Sequence, residues 1–389
     1  MILLKLCNSM IDINELFFEL IRVSLGVSGC LSNTPTNEEW IALYDIAKKQ
    51  SLVGICFAGV QRLQLQRQCL EEMQYLTWMG MAAKIQQRNE VVNRQCVDVQ
   101  QMIEKEGFHT FIMKGQGNAA LYQCGVESKE GRECKESDLS LLRQSGDIDI
   151  YLDGGFEKVN AFVQKTCPTK EINELEIHYH CLPETEVEIH YRAFIMRNSI
   201  KNARLQRFFG EAMRFDNKVD IPNGVGSINV PTIEFNLVHQ MVHIYHHLFT
   251  EGIGMRQLMD YYFVVKHEIE VEKGLNVQEV KKVISDLGLD KFASALMWVI
   301  QHVFGLSMIG VPWTPNQRDG EFLLKEIMLS GNFGKQDERQ KGLYDSKWNS
   351  FWMVNGKAFR LARFDHWMWF WGPVWRVYHF LWRKMKGFK

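Results

Sequence analysis

Net charge, proline, paired cysteines and long apolar runs are all scarce in this chain of 389 residues. Lysine and arginine together number 45 and aspartate and glutamate 46, so a formal net charge of −1 gives no global attraction to nucleic acid or to a membrane. The nine cysteines are odd in number and include no Cys-x-x-Cys pair, which favours a reduced cytoplasmic protein over a disulfide framework or a zinc ribbon. No window of about 20 uninterrupted apolar residues occurs, and this predicts no membrane-spanning helix.

A signal peptide is not expected either. The N-terminus is largely apolar at first, but Asp12, Glu15 and Glu19 follow soon, with no long uncharged segment and no small-residue cleavage site. The composition is otherwise ordinary for a globular protein, with 46% hydrophobic and 23% charged residues. A length of 389 residues predicts two or three domains.

Helical periodicity dominates both ends of the chain and is interrupted in the middle. Residues 1–106 repeat apolar positions at three- and four-residue spacings, which predicts an N-terminal helical region. Residues 107–200 follow the pattern strand, helix, strand, helix and hairpin, with an exposed polar loop at 127–138. Residues 201–330 return to helix, and 331–389 comprise a polar connector and a tryptophan-rich basic tail. The predicted fold class is therefore α+β, with helical regions on both sides of a small core.

Two aspartates alternate with isoleucines in RQSGDIDIYL, residues 143–152. Alternation along a strand points Asp147 and Asp149 to one face and the apolar side chains to a core on the other. Two like charges on one patch raise each other's pKa unless they share a cation. The pair is a candidate oxygen-ligand platform for Mg²⁺ or a similar hard metal, and solvated strand acids are the alternative.

A turn rich in glycine precedes the aspartates. A strand candidate at 108–113 ends in Lys114-Gly115-Gln116-Gly117, and a helix candidate follows. Glycine lets backbone N–H groups approach a phosphate, the helix N-terminus favours negative charge, and Lys114 adds a positive charge. The turn is a candidate phosphate-binding element, with a plain tight turn as the alternative.

A third acid, Glu188, stands between two apolar residues in the second strand of the predicted hairpin. Alternation turns it outward together with Glu186 and His190. Beside the two aspartates it would complete a site for two metal ions, of the kind that stabilises in-line phosphoryl or nucleotidyl transfer. Glu176, on the first hairpin strand, is the rival for this third position, and solvated strand acids are again the alternative.

These segments together carry a family resemblance. The order strand, Lys-Gly turn, helix, Gly-Asp-Ile-Asp-Ile and apolar–acid–apolar strand resembles the nucleotidyltransferase fold of the DNA polymerase β superfamily. More closely, MKGQGNAALY, RQSGDIDIYL, HYH…VEIHYR and HQMVHIYHH…MRQLMDYY resemble a nucleotidyltransferase family of bacterial polysaccharide and capsule loci, over residues of about 108–265.

The resemblance implies a small mixed-sheet core and an enzyme that moves a nucleoside monophosphate from an NTP to an acceptor hydroxyl or phosphate. It implies that Asp147, Asp149 and Glu188 bind Mg²⁺ or Mn²⁺ and are catalytic, with Glu188 positioning or deprotonating the acceptor. It also implies a set of nucleotide-binding residues: Lys114, Gly115, Gln116, Arg143 and Ser145. The locus association implies a sugar or a lipid-linked glycan precursor as acceptor.

Two features depart from the superfamily pattern. Gln116 stands where the superfamily has Ser or Gly, so one phosphate-holding hydroxyl is missing. The segment between the glycine turn and Asp147 is long, so closure of the turn over the acids is an open question. Arg143 is predicted either to meet a phosphate or to be a surface arginine.

Two alternatives to nucleotidyl transfer stay open. One is a non-catalytic nucleotide- or metal-binding protein of the same fold. The other is a sugar transferase in which Asp-x-Asp holds Mn²⁺ and a nucleotide diphosphate-sugar, and this alternative expects a doubly wound parallel sheet. Nucleic-acid binding is disfavoured because residues 107–200 carry no basic stripe.

Four histidines fall on one predicted helix, 233–249. His239 and His243 have a spacing that can bind zinc, but core or interdomain histidines are the favoured interpretation. Arg256 and Asp260 are spaced for an ion pair within the next helix. The resemblance implies that this helical face closes over the active site.

The tail concentrates aromatic and basic residues. Seven of the 11 tryptophans lie between Trp348 and Trp382, and no acid follows Asp365. A helix with aromatic residues and a basic end suits an anionic membrane surface or a partner groove, so 365–389 is a candidate docking segment at the inner membrane. A helix packed on its own domain is the alternative.

Overall fold

The structure is a computed structural model that describes residues 12–65, 70–122, 139–307, 310–332 and 355–386. The predicted polar loop at 127–138 and most of the predicted connector lie outside the described residues. Within the ranges just given, no helix combines the length and the apolar character that a membrane crossing requires.

The N-terminal helices build one side of the molecule. Their bounds are α1, Ile13–Ser24; α2, Asn37–Lys49; α3, Val53–Leu65; and α4, Glu72–Glu104. Helix α2 begins at a capping box, because the Thr36 hydroxyl accepts from the Glu39 N–H and the Glu39 carboxylate accepts from the Thr36 N–H. Helix α4, with 33 residues, extends from these helices to the central sheet.

A four-stranded mixed sheet follows. Its strands are β1, Thr110–Ile112; β2, Ile148–Leu152; β3, Glu176–His178; and β4, Val187–His190. The spatial order is β1-β2-β4-β3, in which β2 and β4 are parallel and each outer strand is antiparallel to its neighbour. This small mixed sheet between helical regions confirms the predicted α+β fold class.

One face of the sheet is apolar. Ile148, Ile150 and Leu152 are at most 1% exposed and belong to one cluster with Ile189 of β4. Helix α6, Gly155–Thr166, and the second half of α4 contribute residues to this cluster, as do Ile177 of β3 and Trp382. The alternation along β2 thus places its apolar residues on the core side, and the acids lie on the other face.

The remaining elements are mainly helical. Their bounds are α5, Gln116–Ala119; α7, Ser199–Ala212; β5, Lys218–Ile221; β6, Gly226–Asn229; α8, Ile233–Phe249; α9, Met255–Glu270; α10, Val277–Asp286; α11, Asp290–Phe304; α12, Gln317–Ser330; and α13, Met368–Met385. Strands β5 and β6 form a separate antiparallel pair. Helix α8 has the bounds predicted from the sequence, and the Thr232 hydroxyl caps it by accepting from the Phe235 N–H.

Two hydrophobic clusters organise the protein. The larger contains buried residues of α1–α3 and of α8–α12, so helices from both ends of the chain share one core. The smaller lies against the apolar face of the sheet. Helix α4 joins them, because Trp78 belongs to the larger cluster and Val92 to the smaller. The division of the chain into four segments stays a prediction.

Candidate active site

Two carboxylates meet where β2 and β4 run side by side. The strands are parallel, and Asp149 is the register partner of Glu188. Both side chains line a cavity of about 750 Å³ that the sheet shares with α8, α9 and α13. The Asp149 side chain is 5% exposed and that of Glu188 is 16% exposed. The structure therefore brings two of the three predicted metal ligands together.

A buried histidine of β4, His190, joins these acids. Its Nε2 lies 2.9 Å from Asp149 Oδ1, 3.3 Å from Glu176 Oε2 and 3.8 Å from Glu188 Oε2. Burial opposes the charged imidazolium, but the surrounding carboxylates, Glu176 first, outweigh it and raise the pKa of His190 to about 9. Alternation predicted that His190 shares a face with Glu188, whereas its contact with Asp149 depends on the strand pairing.

Lys114 is a second cation on Asp149. Its Nζ lies 2.7 Å from Asp149 Oδ1 and 3.3 Å from His243 Nε2. Burial acts against the ammonium charge, yet the nearby carboxylates, Asp149 first, raise the pKa of Lys114 above its usual value. Burial alone would raise the pKa of Asp149, but Lys114 and His190 hold it well below its ordinary value. Asp149 is consequently an ionised carboxylate between two cations.

The other two predicted metal ligands, Asp147 and Glu188, have the opposite tendency. Burial, reinforced by the charges of Asp149 and Glu176 and opposed by a hydrogen bond with His190, raises the pKa of Glu188 to about 7. Asp147 is more exposed, and the charge of Asp149 followed by burial raises its pKa. Carboxyl groups whose pKa values are pushed apart in one cavity are typical of acid–base and cation-binding sites.

The glycine turn after β1 lies beside these acids. Because β1 and β2 are antiparallel neighbours, the Met113 N–H donates to the Asp149 carbonyl at 2.9 Å. Gly115 has φ of +56°, in the left-handed region, and a Cβ placed there would lie 3.7 Å from the Asp147 carbonyl oxygen. The long segment before Asp147 does not separate the turn from the acids, since strand pairing sets their distance.

The side chains around this turn face different ways. Gln116 is buried, and its amide nitrogen donates to Asn89 and Asn93 of α4. Asn118 lines the cavity; its Oδ1 accepts from Asn236, and its Nδ2 is buried without a hydrogen-bond partner among the described residues. This amide is a candidate for the role of the missing hydroxyl, and the sequence pattern carried no signal for it.

Arg143 is buried, at 5% exposure, so the surface alternative is wrong. Its Nε and Nη2 each lie 2.7 Å from a different carboxylate oxygen of Asp260, and the Tyr122 hydroxyl donates to the same carboxylate. This bidentate pair fixes the start of the segment that leads to Asp147. Because Arg143 also lines the cavity, its predicted contact with a nucleotide stays a prediction.

Helix α9 holds the same segment a second time. The i, i+4 spacing predicts that Arg256 pairs with Asp260. In the structure the Arg256 Nη1 donates to the Gln144 carbonyl at 3.1 Å and lies 3.5 Å from the position that a Cβ on Gly146 would occupy. Ser145 is half-buried between these residues. Its role in nucleotide binding stays a prediction.

The histidines of α8 form part of the cavity wall. His243 Nε2 lies 3.0 Å from His247 Nε2. Burial, and then the charge of Lys114, lowers the pKa of His239 to about 3, and the pKa of His243 is lowered for the same reasons. The imidazoles of His239 and His243 are therefore neutral groups of the cavity wall.

Metal-binding capacity is concentrated on the sheet. Among the described residues, three sets place their ligand atoms within 4.8 Å of one another: Asp149, Glu188 and His190; Glu171, His178 and Glu186; and Glu176, His178 and Glu188. None of these sets contains a histidine of α8, which favours wall histidines over a zinc site there. The first set, with two carboxylates in the cavity, fits a hard divalent cation such as Mg²⁺ or Mn²⁺.

Comparison with known proteins identifies the family. A family model described as an uncharacterised nucleotidyltransferase matches residues 36–305, which is more than half of the chain. The chain belongs to this nucleotidyltransferase family. No curated protein and no solved structure matches it. The matched region of this nucleotidyltransferase runs from α2 to α11 and contains all eight predicted site residues.

Proposed function

We propose that this nucleotidyltransferase uses Mg²⁺ or Mn²⁺, held by Asp147, Asp149 and Glu188, to transfer a nucleoside monophosphate from an NTP to an acceptor hydroxyl or phosphate. The observation that carries the proposal is the register of β2 and β4, which puts Asp149 beside Glu188 in the cavity. Asp147 lines the same cavity. Three carboxylates around one cavity are a donor set suited to two-metal nucleotidyl transfer, in which the cations stabilise the attacking and leaving oxygens.

The glycine turn and its neighbours are proposed to hold the triphosphate. The Lys114 ammonium is on a flexible side chain and lies 2.7 Å from Asp149 Oδ1. When Asp149 binds the metal ion, the ammonium can turn to phosphate oxygens instead. Gly115 offers close backbone approach, and Asn118 offers an amide donor. Gln116 would act through its backbone, because its side chain faces α4.

Glu188 is proposed to accept the proton of the acceptor hydroxyl. Without a bound metal ion the pKa of Glu188 is raised to about 7, and a metal ion at this site would lower it and favour the carboxylate form that accepts a proton. Its neighbour His190 is held by Asp149 and Glu176 and keeps the imidazolium beside the developing negative charge.

For the acceptor we propose a sugar or a lipid-linked glycan precursor in surface polysaccharide synthesis. The family resemblance supports this class, and so does the lining of the cavity, where Trp375 lies with the polar side chains of Asn173 and Glu174. An aromatic face beside amide and carboxylate oxygens matches the apolar face and the hydroxyls of a sugar. The lack of a basic stripe keeps nucleic acid disfavoured.

The Asp-x-Asp sugar transferase is the weaker candidate. It requires a doubly wound parallel sheet, whereas β2 and β4 are the one parallel pair in the four-stranded sheet described here. A non-catalytic member of the family would keep the same fold and cavity, so only a measurement of turnover separates it from the enzyme.

The test compares Mg²⁺-dependent NTP binding and pyrophosphate release in the wild type, Asp149→Asn and Asp153→Asn. Asp153 follows the last residue of β2 and pairs with His109, which makes it a matched acidic control. We expect release to need Mg²⁺, to be lost in the first variant and to persist in the second. Release unchanged by Asp149→Asn would sink the assignment, and binding without release by the wild type would favour the non-catalytic alternative.

Helix α13 is proposed to dock the enzyme on an anionic membrane surface. Its inner face is packed, because Trp382 is buried against Phe156 at 5.8 Å between ring centroids. Its outer face exposes a stripe of apolar side chains at helical spacing: Phe370, Val374, Val377, Leu381 and Met385. Lys384 is exposed at the end of this stripe, which gives charge complementarity to anionic lipid, whereas Lys386 pairs with Glu157. Trp348, the first tryptophan of the predicted cluster, lies outside the described residues.

Sedimentation with vesicles tests the docking proposal. We expect binding to phosphatidylglycerol vesicles, little binding to phosphatidylcholine, and loss of binding in Val377→Asp/Leu381→Asp. Ile200→Asp is the control, because Ile200 is as exposed as these residues but lies on α7. No binding to anionic vesicles by the wild type would overturn the docking proposal. A concentration-dependent oligomer that the double variant abolishes would assign the stripe to a contact between copies of this chain.

A further inference from the structure

Arg197 is a half-buried cation at the cavity wall that the catalytic proposal does not use. It lies between β4 and α7 in the chain and lines the same cavity as Asp149. Helix α13 covers it, because the Arg197 Nη1 is 3.9 Å from Met368 Sδ and 3.6 Å from the position that a Cβ on Gly372 would occupy. The guanidinium therefore lies against this helix.

No carboxylate of the described residues forms an ion pair with Arg197, although the charge of Glu174 acts on it from a longer distance. Among the described residues, none has a carboxylate oxygen within 4.0 Å of the Arg197 guanidinium, and its Nε is buried without a hydrogen-bond partner. The nearby acids are engaged elsewhere: Asp365 pairs with Lys201 at 3.0 Å, and Glu174 Oε2 lies 2.8 Å from His379 Nε2.

The surroundings increase the cost of this charge. Burial, and then the charge of Arg376, lowers the pKa of Arg197 to about 10. His246 also lines the cavity, and burial followed by the charge of Arg197 keeps the pKa of its imidazole well below the ordinary value. The Arg197 Nε is buried without a hydrogen-bond partner, and the guanidinium has no ion-pair partner among the described residues. Such an arrangement is costly, so its retention beside an accessible cavity indicates that a ligand supplies the counterion.

We propose that Arg197 binds an anionic group of the acceptor, a phosphate or a carboxylate, in a second subsite of the cavity. The assignment of the bound anion to the acceptor rests on the proposed function, whereas the anion site itself rests on the geometry around Arg197. Trp375 and His379 of α13 line the same cavity and would contact the rest of an acceptor held there. The class of acceptor is then narrowed to sugars or glycan precursors that carry a negative charge.

Calorimetric titration of the full chain with inorganic phosphate tests the site. We expect phosphate to bind the wild type and to bind Arg197→Met about tenfold or more weakly, because methionine offers neither charge nor hydrogen-bond donors. Arg197→Lys should bind with intermediate affinity, because lysine keeps the charge but loses the bidentate hydrogen bonds. Arg192→Met is the control, because Arg192 is exposed and stacks on Tyr191. Its phosphate affinity should stay within about twofold of the wild type.

The same variants are titrated with Mg²⁺ and each of the four NTPs. Arg197→Met should bind Mg²⁺–NTP as the wild type does; a parallel loss of NTP and phosphate binding would place Arg197 in the nucleotide subsite and overturn the assignment. Unchanged phosphate binding in Arg197→Met would also overturn it. Phosphate binding through Arg197 with no Mg²⁺–NTP binding by the wild type would instead refute the proposed function while leaving the anion site intact.

The melting temperature distinguishes a binding residue from a structural one. We expect Arg197→Met to melt at or above the wild-type temperature, because it removes a half-buried charge that has no ion-pair partner and keeps an apolar side chain of similar length. A variant that fails to fold, or melts well below the wild type, would show that Arg197 is structural and would overturn the assignment.

Discussion

Asp149 and Asp260 are two buried aspartates of one cavity, and both are paired with cations. Asp260 receives a bidentate bond from Arg143 and a third bond from Tyr122. Asp149 instead contacts two single-point donors, Lys114 and His190. The first arrangement is planar, fully satisfied and suited to bracing the chain, whereas the second can exchange one cation for another. Both aspartates are buried, so burial does not distinguish them. The type of partner predicts a structural role for Asp260 and a catalytic role for Asp149.

The largest expected effect is on catalysis. Asp149→Asn should lower Mg²⁺-dependent turnover by about 10³-fold, because it removes a proposed metal ligand worth several kcal/mol in the transition state. Its effect on stability should be smaller than that of Asp260→Asn, since Glu176 and Glu188 remain near the cations. Turnover assays and denaturant unfolding measure the two quantities, and equal losses of stability in both variants would contradict the comparison.

Asp260→Asn should act on stability first. It leaves the buried Arg143 guanidinium without its counterion, which costs about 3–5 kcal/mol of unfolding free energy. The double variant Arg143→Met/Asp260→Leu should recover part of this loss, because it removes both charges. A fully stable but inactive Asp260→Asn would show that this aspartate is also functional.

The stabilisation by Mg²⁺ should increase from pH 6 to pH 9. Protonation of Glu188 removes a ligand of the metal ion, and protonation of His190 places a positive charge beside it; the pKa values of these groups are raised to about 7 and about 9. In metal-free protein the sign is opposite: the stability that His190 contributes is complete below its unfolded value of 6.5 and is lost as the pH rises through about 9.

Melting curves with and without Mg²⁺ at several pH values measure this dependence. In metal-free protein, His190→Gln should reduce the change in melting temperature between pH 6.5 and pH 9. Tyr122→Phe, beside Asp260, should leave this pH dependence unchanged. A Mg²⁺-induced shift of equal size at pH 6 and pH 9 would argue against metal binding at these groups.

The smallest expected effect is at Tyr122. Tyr122→Phe removes one hydrogen bond to Asp260 and keeps the ring that packs on Phe263 at 4.1 Å, so stability should fall by roughly 1 kcal/mol. Turnover should change by less than about twofold, because the bidentate bond from Arg143 still holds the carboxylate. Unfolding and turnover assays measure both, and a large loss of activity would make the Asp260 cluster part of the chemistry.

Local patterns predicted the elements of the site. Alternation in RQSGDIDIYL predicted which side chains of β2 enter the core, and the strand followed by Lys114-Gly115 predicted the turn. The same patterns could not predict the ion pair between Lys114 and Asp149. That contact requires β1 and β2 to be neighbours in the sheet, and the segment that joins them in the chain has no periodic pattern. Asn118 carried no signal, since an asparagine is informative only when its amide is left unsatisfied in a cavity wall.

The pairing of Arg143 shows the limit of short-range reasoning most clearly. The i, i+4 spacing on α9 offered Arg256 as the partner of Asp260, but Asp260 is paired bidentately with a residue 117 positions away in the chain. A planar guanidinium that approaches from another element can make two parallel bonds, and only tertiary packing brings it there.

The sequence by itself determined the α+β fold class, the alternation that places Asp147 and Asp149 on one face, and the family to which the chain belongs, because these follow from local periodicity and motif order. Only the tertiary structure decided the parallel register of Asp149 with Glu188, the cations around Asp149, and the position of Arg197 under α13. These contacts join residues that are far apart in the chain, and their positions are fixed by strand pairing and helix packing rather than by any local pattern.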